Sequence, residues 1–179
     1  MSKPKARFLF RDILLNMMFL FVAIAIILLS HVNPPARNDE ARPPGTLSVQ
    51  IRWPDGHRGD VDVWIAAPGD DVVGFKRPKG EFIDLVRDDL GKVNDNLDLN
   101  FENLYSRGLP DGKYVVNLHY YRYAGPVAVK VEIMINGRTV HLSTVGLEFL
   151  NDEETVIRFW IKNAHIVKQD DIYEGILPF

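Results

Sequence analysis

The chain contains no cysteine. That removes disulfides, thiol nucleophiles and cysteine-rich zinc sites, while leaving an oxidising compartment open, because such compartments permit disulfides without requiring them. Its five histidines are scattered, no serine sits in a nucleophile motif, and there is neither an internal repeat nor a low-complexity tract. No enzymatic activity and no cofactor are therefore expected. Strong charge of one sign is also missing: 21 Lys and Arg stand against 24 Asp and Glu, for a net charge of −3. Four basic residues near the start, Lys3, Lys5, Arg7 and Arg11, less Asp12, contribute +3 of that total, so the remainder carries −6. An acidic remainder argues against nucleic acid or an anionic membrane surface as its partner.

Long apolar runs are absent too, with one exception. From Ile13 to Leu29 every residue is apolar save Asn16, and Phe8, Leu9 and Phe10 precede that run. Together they reach the roughly 20 residues a helix needs to cross a bilayer. A secretory signal peptide fits less well, since its apolar core is shorter and a small-residue cleavage site should follow, where this chain has His31, Asn33, Pro34 and Pro35. The basic residues before the span place the N-terminus in the cytoplasm and send the remainder across, by the positive-inside rule. The expected organisation is a cytoplasmic N-terminus and transmembrane helix at 1–32, a Pro-rich linker at 33–45, and an extracytoplasmic domain at 46–179. A bacterial inner membrane, with the domain in the periplasm, suits this topology.

The linker reads NPPARNDEARPPG, semi-extended because each proline fixes its own backbone and biases the residue before it away from helix. Beyond it the apolar period becomes two. Leu47, Val49, Ile51 and Trp53 share one face, as do Val61, Val63 and Ile65, and then Tyr114, Val116, Leu118 and Tyr120. Val127, Val129, Val131, Ile133 and Ile135 continue the pattern, with Lys130 and Glu132 expected outside. Period two marks half-buried strands. Asn136-Gly137 reads as a type I′ hairpin turn, and Pro54-Asp55-Gly56 and Pro110-Asp111-Gly112 as further turns. With VVGFK, EFIDLVR and EETVIRFWIK added, about eight short strands are expected in a mainly β fold, an antiparallel β-sandwich behind a single N-terminal transmembrane helix. The stretch from Gly91 to Gly108 is ambiguous, and Asn163 to Phe179 is expected as loop packed over the sandwich or a partner.

Asp12 stands where the apolar helix begins, and a helical wheel sets Asp12, Asn16, Phe19, Ala23, Ile26 and Ser30 in one stripe at spacings of three and four. Acids within spanning helices are rare and are functional candidates by default. The alternative is an aspartate at the membrane interface, paired with Arg11 or Lys5 and marking the edge of an anchor. Asp12 followed by Asn16, Met17, Met18, Phe19 and Phe21 and an unbroken apolar run resembles the single membrane helix of the proton-motive B subunits, MotB of the flagellar stator, ExbD and TolR. That resemblance covers about 25 residues and implies that Asp12 carries protons inward. It also implies that two such helices, as a homodimer, sit within a pentamer of MotA/ExbB-like membrane subunits. Nothing after the linker resembles the OmpA-like peptidoglycan-binding domain of the flagellar protein. Instead GDVDVWIAAPGDDVVGF, RDDLG and GLPDGKYVVNLHYYRYAGPVAVKVEIMINGRTV resemble the YfaP-type extracytoplasmic β-sandwiches, with which no catalytic activity comes. The extracytoplasmic target is open. So is the alternative that the helix is only a tether, and the sandwich a periplasmic module that binds a protein or glycan.

Two further groups are candidates. Asp60, Asp62, Asp70, Asp71, Asp88 and Asp89 offer the oxygens that a calcium ion takes, although their spacing fits no EF-hand loop, and solvated turn residues are the preferred reading. Tyr121 and Tyr123 are expected outside while Tyr120 joins the core. They form either an exposed aromatic platform or an ordinary cross-strand set.

Overall fold

The computed structural model describes residues 3–32, 46–90 and 99–178. The linker expected at 33–45, the segment 91–98 and Phe179 lie outside the described residues. Helix α1 runs Lys3–Val32, 30 residues, a length of about 45 Å at 1.5 Å per residue. Within it Phe8–Ile26 has a mean hydropathy of 2.1, so by length and composition it can cross a membrane. Arg11 lies over the ring of Phe8, 5.4 Å from its centre.

The second unit is mainly β. Its strands are β1 (Leu47–Arg52), β2 (Asp60–Ala66), β3 (Ile83–Arg87), β4 (Phe101–Ser106), β5 (Gly112–Arg122), β6 (Val127–Ile135), β7 (Arg138–Leu147), β8 (Glu153–Lys162) and β9 (His165–Asp170). They form two antiparallel sheets, ordered β3-β4-β1-β6-β7 and β2-β5-β8-β9. The sheets face each other across the apolar positions that alternate along each strand. Leu47, Val49, Ile51 and Trp53 from the first sheet meet Val61, Val63, Ile65, Tyr114, Val116, Leu118 and Tyr120 from the second, all buried. The expected strand phase holds on every one of these positions. It holds on β6 as well, where Val127, Val129, Val131, Ile133 and Ile135 are buried and Lys130 is exposed. Glu132 is half-buried rather than exposed, because it turns back along the sheet to accept a 2.6 Å hydrogen bond from the Thr139 hydroxyl.

The turns follow their residue chemistry. Asn136 and Gly137 adopt φ of 51° and 74°, the two positive values a type I′ hairpin requires. Gly56 has φ 76° within a turn closed by the His57 N–H donating to the Pro54 carbonyl at 3.0 Å. Tyr120 is in the core and its hydroxyl donates to the Gly125 carbonyl at 2.6 Å, while Tyr121 and Tyr123 are exposed.

Three expectations change. VVGFK is not a strand. It folds over β2 as a tight turn, with Val73 bridging Ile65 and Gly74 bridging Arg77, and Gly74 lies so close to the Trp64 indole that a Cβ there would come within 2.4 Å of it. The ambiguous stretch holds β4, a central strand of the first sheet. The C-terminal segment is not all loop, because Asn163 and Ala164, both at positive φ, turn the chain back as β9. Residues 171–178 do pack over the sandwich as expected. The Glu174 carboxylate pairs with Lys113 at 2.6 Å and Arg158 at 3.1 Å, and its carbonyl accepts from Asn117 Nδ2 at 2.8 Å.

Val131 faces Ile51 on one side and Ser143 on the other and is fully buried. Val131→Asp sets an unpaired charge in the core, at a cost on the order of 4 kcal/mol or more, a large share of a typical domain's stability. The variant should show no cooperative thermal transition by near-ultraviolet circular dichroism, whereas Lys130→Ala should melt within about 2 °C of the parent.

Candidate functional site

The aspartates of the sandwich do not behave as a set of turns. Asp60 and Asp62 fall on the face of β2 opposite Val61 and Val63, at the edge of their sheet, where β2 has β5 on one side only. Both are buried. The free N–H of Val63 on the open side would go unsatisfied, and it is taken by a residue of the other sheet: Glu102 Oε2 accepts it at 2.8 Å. Glu102 occupies an inward position of β4, in phase with Leu104, and is wholly buried. Its Oε1 accepts the N–H of Asp89 at 3.3 Å, so one carboxylate ties together β2, β4 and the segment after β3.

That segment brings two more acids. Asp89 is buried, and its Oδ2 accepts from Arg87 and from the Phe101 N–H, each at 3.2 Å. Arg87 is fixed in turn by the carbonyls of Leu99 and Phe101, and lies 3.9 Å over the Phe101 ring. Asp88 is exposed and hydrogen-bonds with Glu102. Oxygens of Asp62, Asp88 and Glu102 lie within 4.8 Å of one another. On β5, His119 Nδ1 is 3.4 Å from Asp62 Oδ2, and Arg122 is 3.8 Å from Asp60 Oδ2 while donating to the Leu90 carbonyl. The other oxygen of Asp60, Oδ1, is buried with no hydrogen-bond partner among the described residues.

Burial out of water pushes these acids up. Asp60 rises to about 7, first by burial and then by the charge of Asp62, with Arg122 opposing. Burial also raises Asp62, against the hydrogen bond from His119. It raises Glu102 as well, helped by the charge of Asp62 and opposed by the Val63 N–H.

Of the six aspartates read from the sequence, the fold gathers four: Asp60, Asp62, Asp88 and Asp89. Their preferred reading as solvated turn residues fails for Asp60, Asp62 and Asp89, all buried, because Glu102 and the Asp88–Asp89 segment lie against the β2 edge. Asp70 and Asp71 are elsewhere. Asp70 accepts the N–H groups of Glu81, Phe82 and Ile83, and Asp71 pairs with Arg77. Glu102 was not foreseen, although a glutamate in phase with Leu104 and Ser106 is a legible signal once FENLYS is read as a strand.

In α1, Asp12, Asn16, Phe19 and Ala23 recur at helical spacings of three and four, and so share one side of the helix. Asp12 and Asn16 fall inside the apolar window Phe8–Ile26. Tyr121 leans on Phe75 and His119, with ring centres 6.2 and 6.1 Å away, and Tyr123 on Tyr120 at 5.5 Å.

No family model matches the chain, and no curated protein matches it. Among solved structures it is similar to the crystal structure of SAV2460, a protein of unknown function, at 16% identity and a TM-score of 0.49, over 70% of this chain and 85% of that one.

The raised carboxyls give a pH dependence with a definite sign. A group held above its unfolded value favours the fold while protonated and opposes it as pH climbs through the folded value. In chelator, the full chain in detergent should lose several degrees of melting temperature between pH 5 and pH 8, as Asp60, raised to about 7, is forced to ionise. Asp60→Asn, with the same shape and no titration, should lessen that loss. A melting temperature that rises across the interval would contradict the described burial.

Proposed function

We propose that the chain is the B-type subunit of a proton-driven inner-membrane motor of the MotA-MotB and ExbB-ExbD kind. Two copies sit within a pentamer of a MotA/ExbB-like subunit, and ion flow through Asp12 moves the exported sandwich. The observation that carries this reading is a carboxyl inside an apolar helix, followed at helical spacing by Asn16, Phe19 and Ala23. An ionised carboxylate among lipid tails is costly, so Asp12 is best accommodated on the side of the helix that meets another subunit or a water path. The small and polar residues of the stripe make room for that contact. Lys3, Lys5 and Arg7 ahead of the span, with Arg11 in its first turn, favour an N-terminus in the cytoplasm, which leaves the sandwich in the periplasm, where the motion is delivered to a target.

A second reading makes the helix a simple tether and the sandwich a periplasmic module that binds a protein or glycan. The exposed Tyr121 and Phe75, side by side on the surface, favour it, since paired aromatic faces suit such ligands.

Asp12 separates the two. Asp12→Asn keeps the size and hydrogen bonding of the side chain and removes its titratable group. In cells or liposomes that hold a co-expressed MotA/ExbB-like membrane subunit, proton uptake should fall to background at unchanged membrane levels, and Asp12→Glu should retain part of the flux. Parental flux and phenotype from Asp12→Asn would leave the tethered module as the answer.

A further inference from the structure

Among the described residues, five carboxyls, those of Asp60, Asp62, Asp88, Asp89 and Glu102, gather at the edge of β2. The fixed cations among them are two guanidiniums. Arg87 is committed to Asp89, and Arg122, half-buried, stands 3.8 Å from Asp60 and donates to the Leu90 carbonyl. Asp62 has the His119 ring beside it, and Asp62, Asp88 and Glu102 otherwise face one another; carboxylates crowded together require a proton or a metal between them.

The geometry points to a divalent-cation site of the calcium type, held by Asp62 from β2, Asp88 from the segment after β3, and Glu102 from β4. Two oxygens bound to one calcium ion at 2.3–2.6 Å are at most about 5 Å apart, and the three carboxyls already present oxygens within 4.8 Å of one another. The amides that Glu102 accepts, from Val63 and Asp89, hold it in place and leave a second lone pair on each oxygen for the ion. All three ligands are carboxylates, the donors of a hard cation; zinc favours nitrogen and sulfur. Magnesium keeps most of its water and uses one or two carboxylates, whereas three protein acids from three separate elements suit the irregular shell of calcium. Asp88 is exposed and gives the ion its way in.

An independent feature points to the same occupant. Asp60 Oδ1 is buried and accepts no hydrogen bond from the described residues, an expensive state for a carboxylate oxygen. Asp60 stands two residues before Asp62 on one face of β2 and feels the charges of Asp62, Asp88 and Asp89. A water in the shell of the cation supplies the donor that this oxygen lacks. His119, beside Asp62, orients that ligand from the neighbouring strand. The bound ion ties the open edge of the second sheet to the first, and none of this depends on the reading of Asp12.

The test uses the full chain in detergent, stripped with chelator and titrated calorimetrically with calcium chloride alone, with magnesium chloride as comparator. The expected result is one calcium per chain with a Kd on the order of 10⁻⁴ M, the range of extracellular sites. The melting temperature should rise by roughly 5 to 10 °C at hundredfold saturation. Asp88→Asn alters an exposed side chain and should fold; it should weaken calcium binding at least tenfold and leave the melting temperature in chelator no lower than the parent's. No heat and no thermal shift up to about 10 mM calcium, two orders above the expected Kd, would overturn the proposal. So would equal affinity for magnesium, or parental calcium binding by Asp88→Asn.

Discussion

The sandwich is closed at one edge by a single carboxylate out of water. Glu102 sits in the apolar layer between the sheets, yet it gives both oxygens to backbone N–H groups, Val63 of one sheet and Asp89 beside the other. Without it, β2 would show an unpaired amide to the interior. The surrounding arrangement follows from keeping that group charged or neutral at tolerable cost: Arg87 is diverted to Asp89, Asp88 reaches in from solvent, and Asp62 is steadied by His119. A sheet edge that an ordinary sandwich would blunt with a lysine or a proline is here covered by acids.

The same constraint joins the two ends of the molecule. A carboxyl in a poor dielectric is stable only as the acid or beside a positive partner. In the sandwich the proposed partner is a resident cation. In α1 the proposed solution is transient, with Asp12 taking a proton on one side and giving it up on the other. Both proposals use carboxylates where hydrophobic residues would have folded more simply, and that expense is the reason to look for a function at each.

The alternating strands were legible because their inward residues are large, apolar and strictly periodic. Val127 to Ile135 and Tyr114 to Tyr120 left little choice of face. Asn136-Gly137 announced its turn because few other pairs accept two positive φ values. β4 was not legible, since its inward side carries Glu102 and Ser106 around one leucine, and a period-two test counts a glutamate as an outward residue. The acidic site escaped for a related reason. Asp60 and Asp62 lie on the outer side of their strand, and only the approach of a segment about 26 residues further on, and of Glu102 about 40 further, turns that side into an interior. β9 was hidden by the polarity of HIVKQD, which pairs through its backbone and keeps most of its side chains in water. For the helix, sequence and fold agree on a single long apolar segment, because that follows from composition.

The central claim is that this chain works inside a ring of another membrane protein and not as a lone tether. Native mass spectrometry of the complex extracted from its own membranes in mild detergent tests it most directly. The account predicts one species holding two copies of this 20.4 kDa chain with five copies of a single multi-helix partner. A chain extracted alone, or a complex in any other ratio, would contradict it.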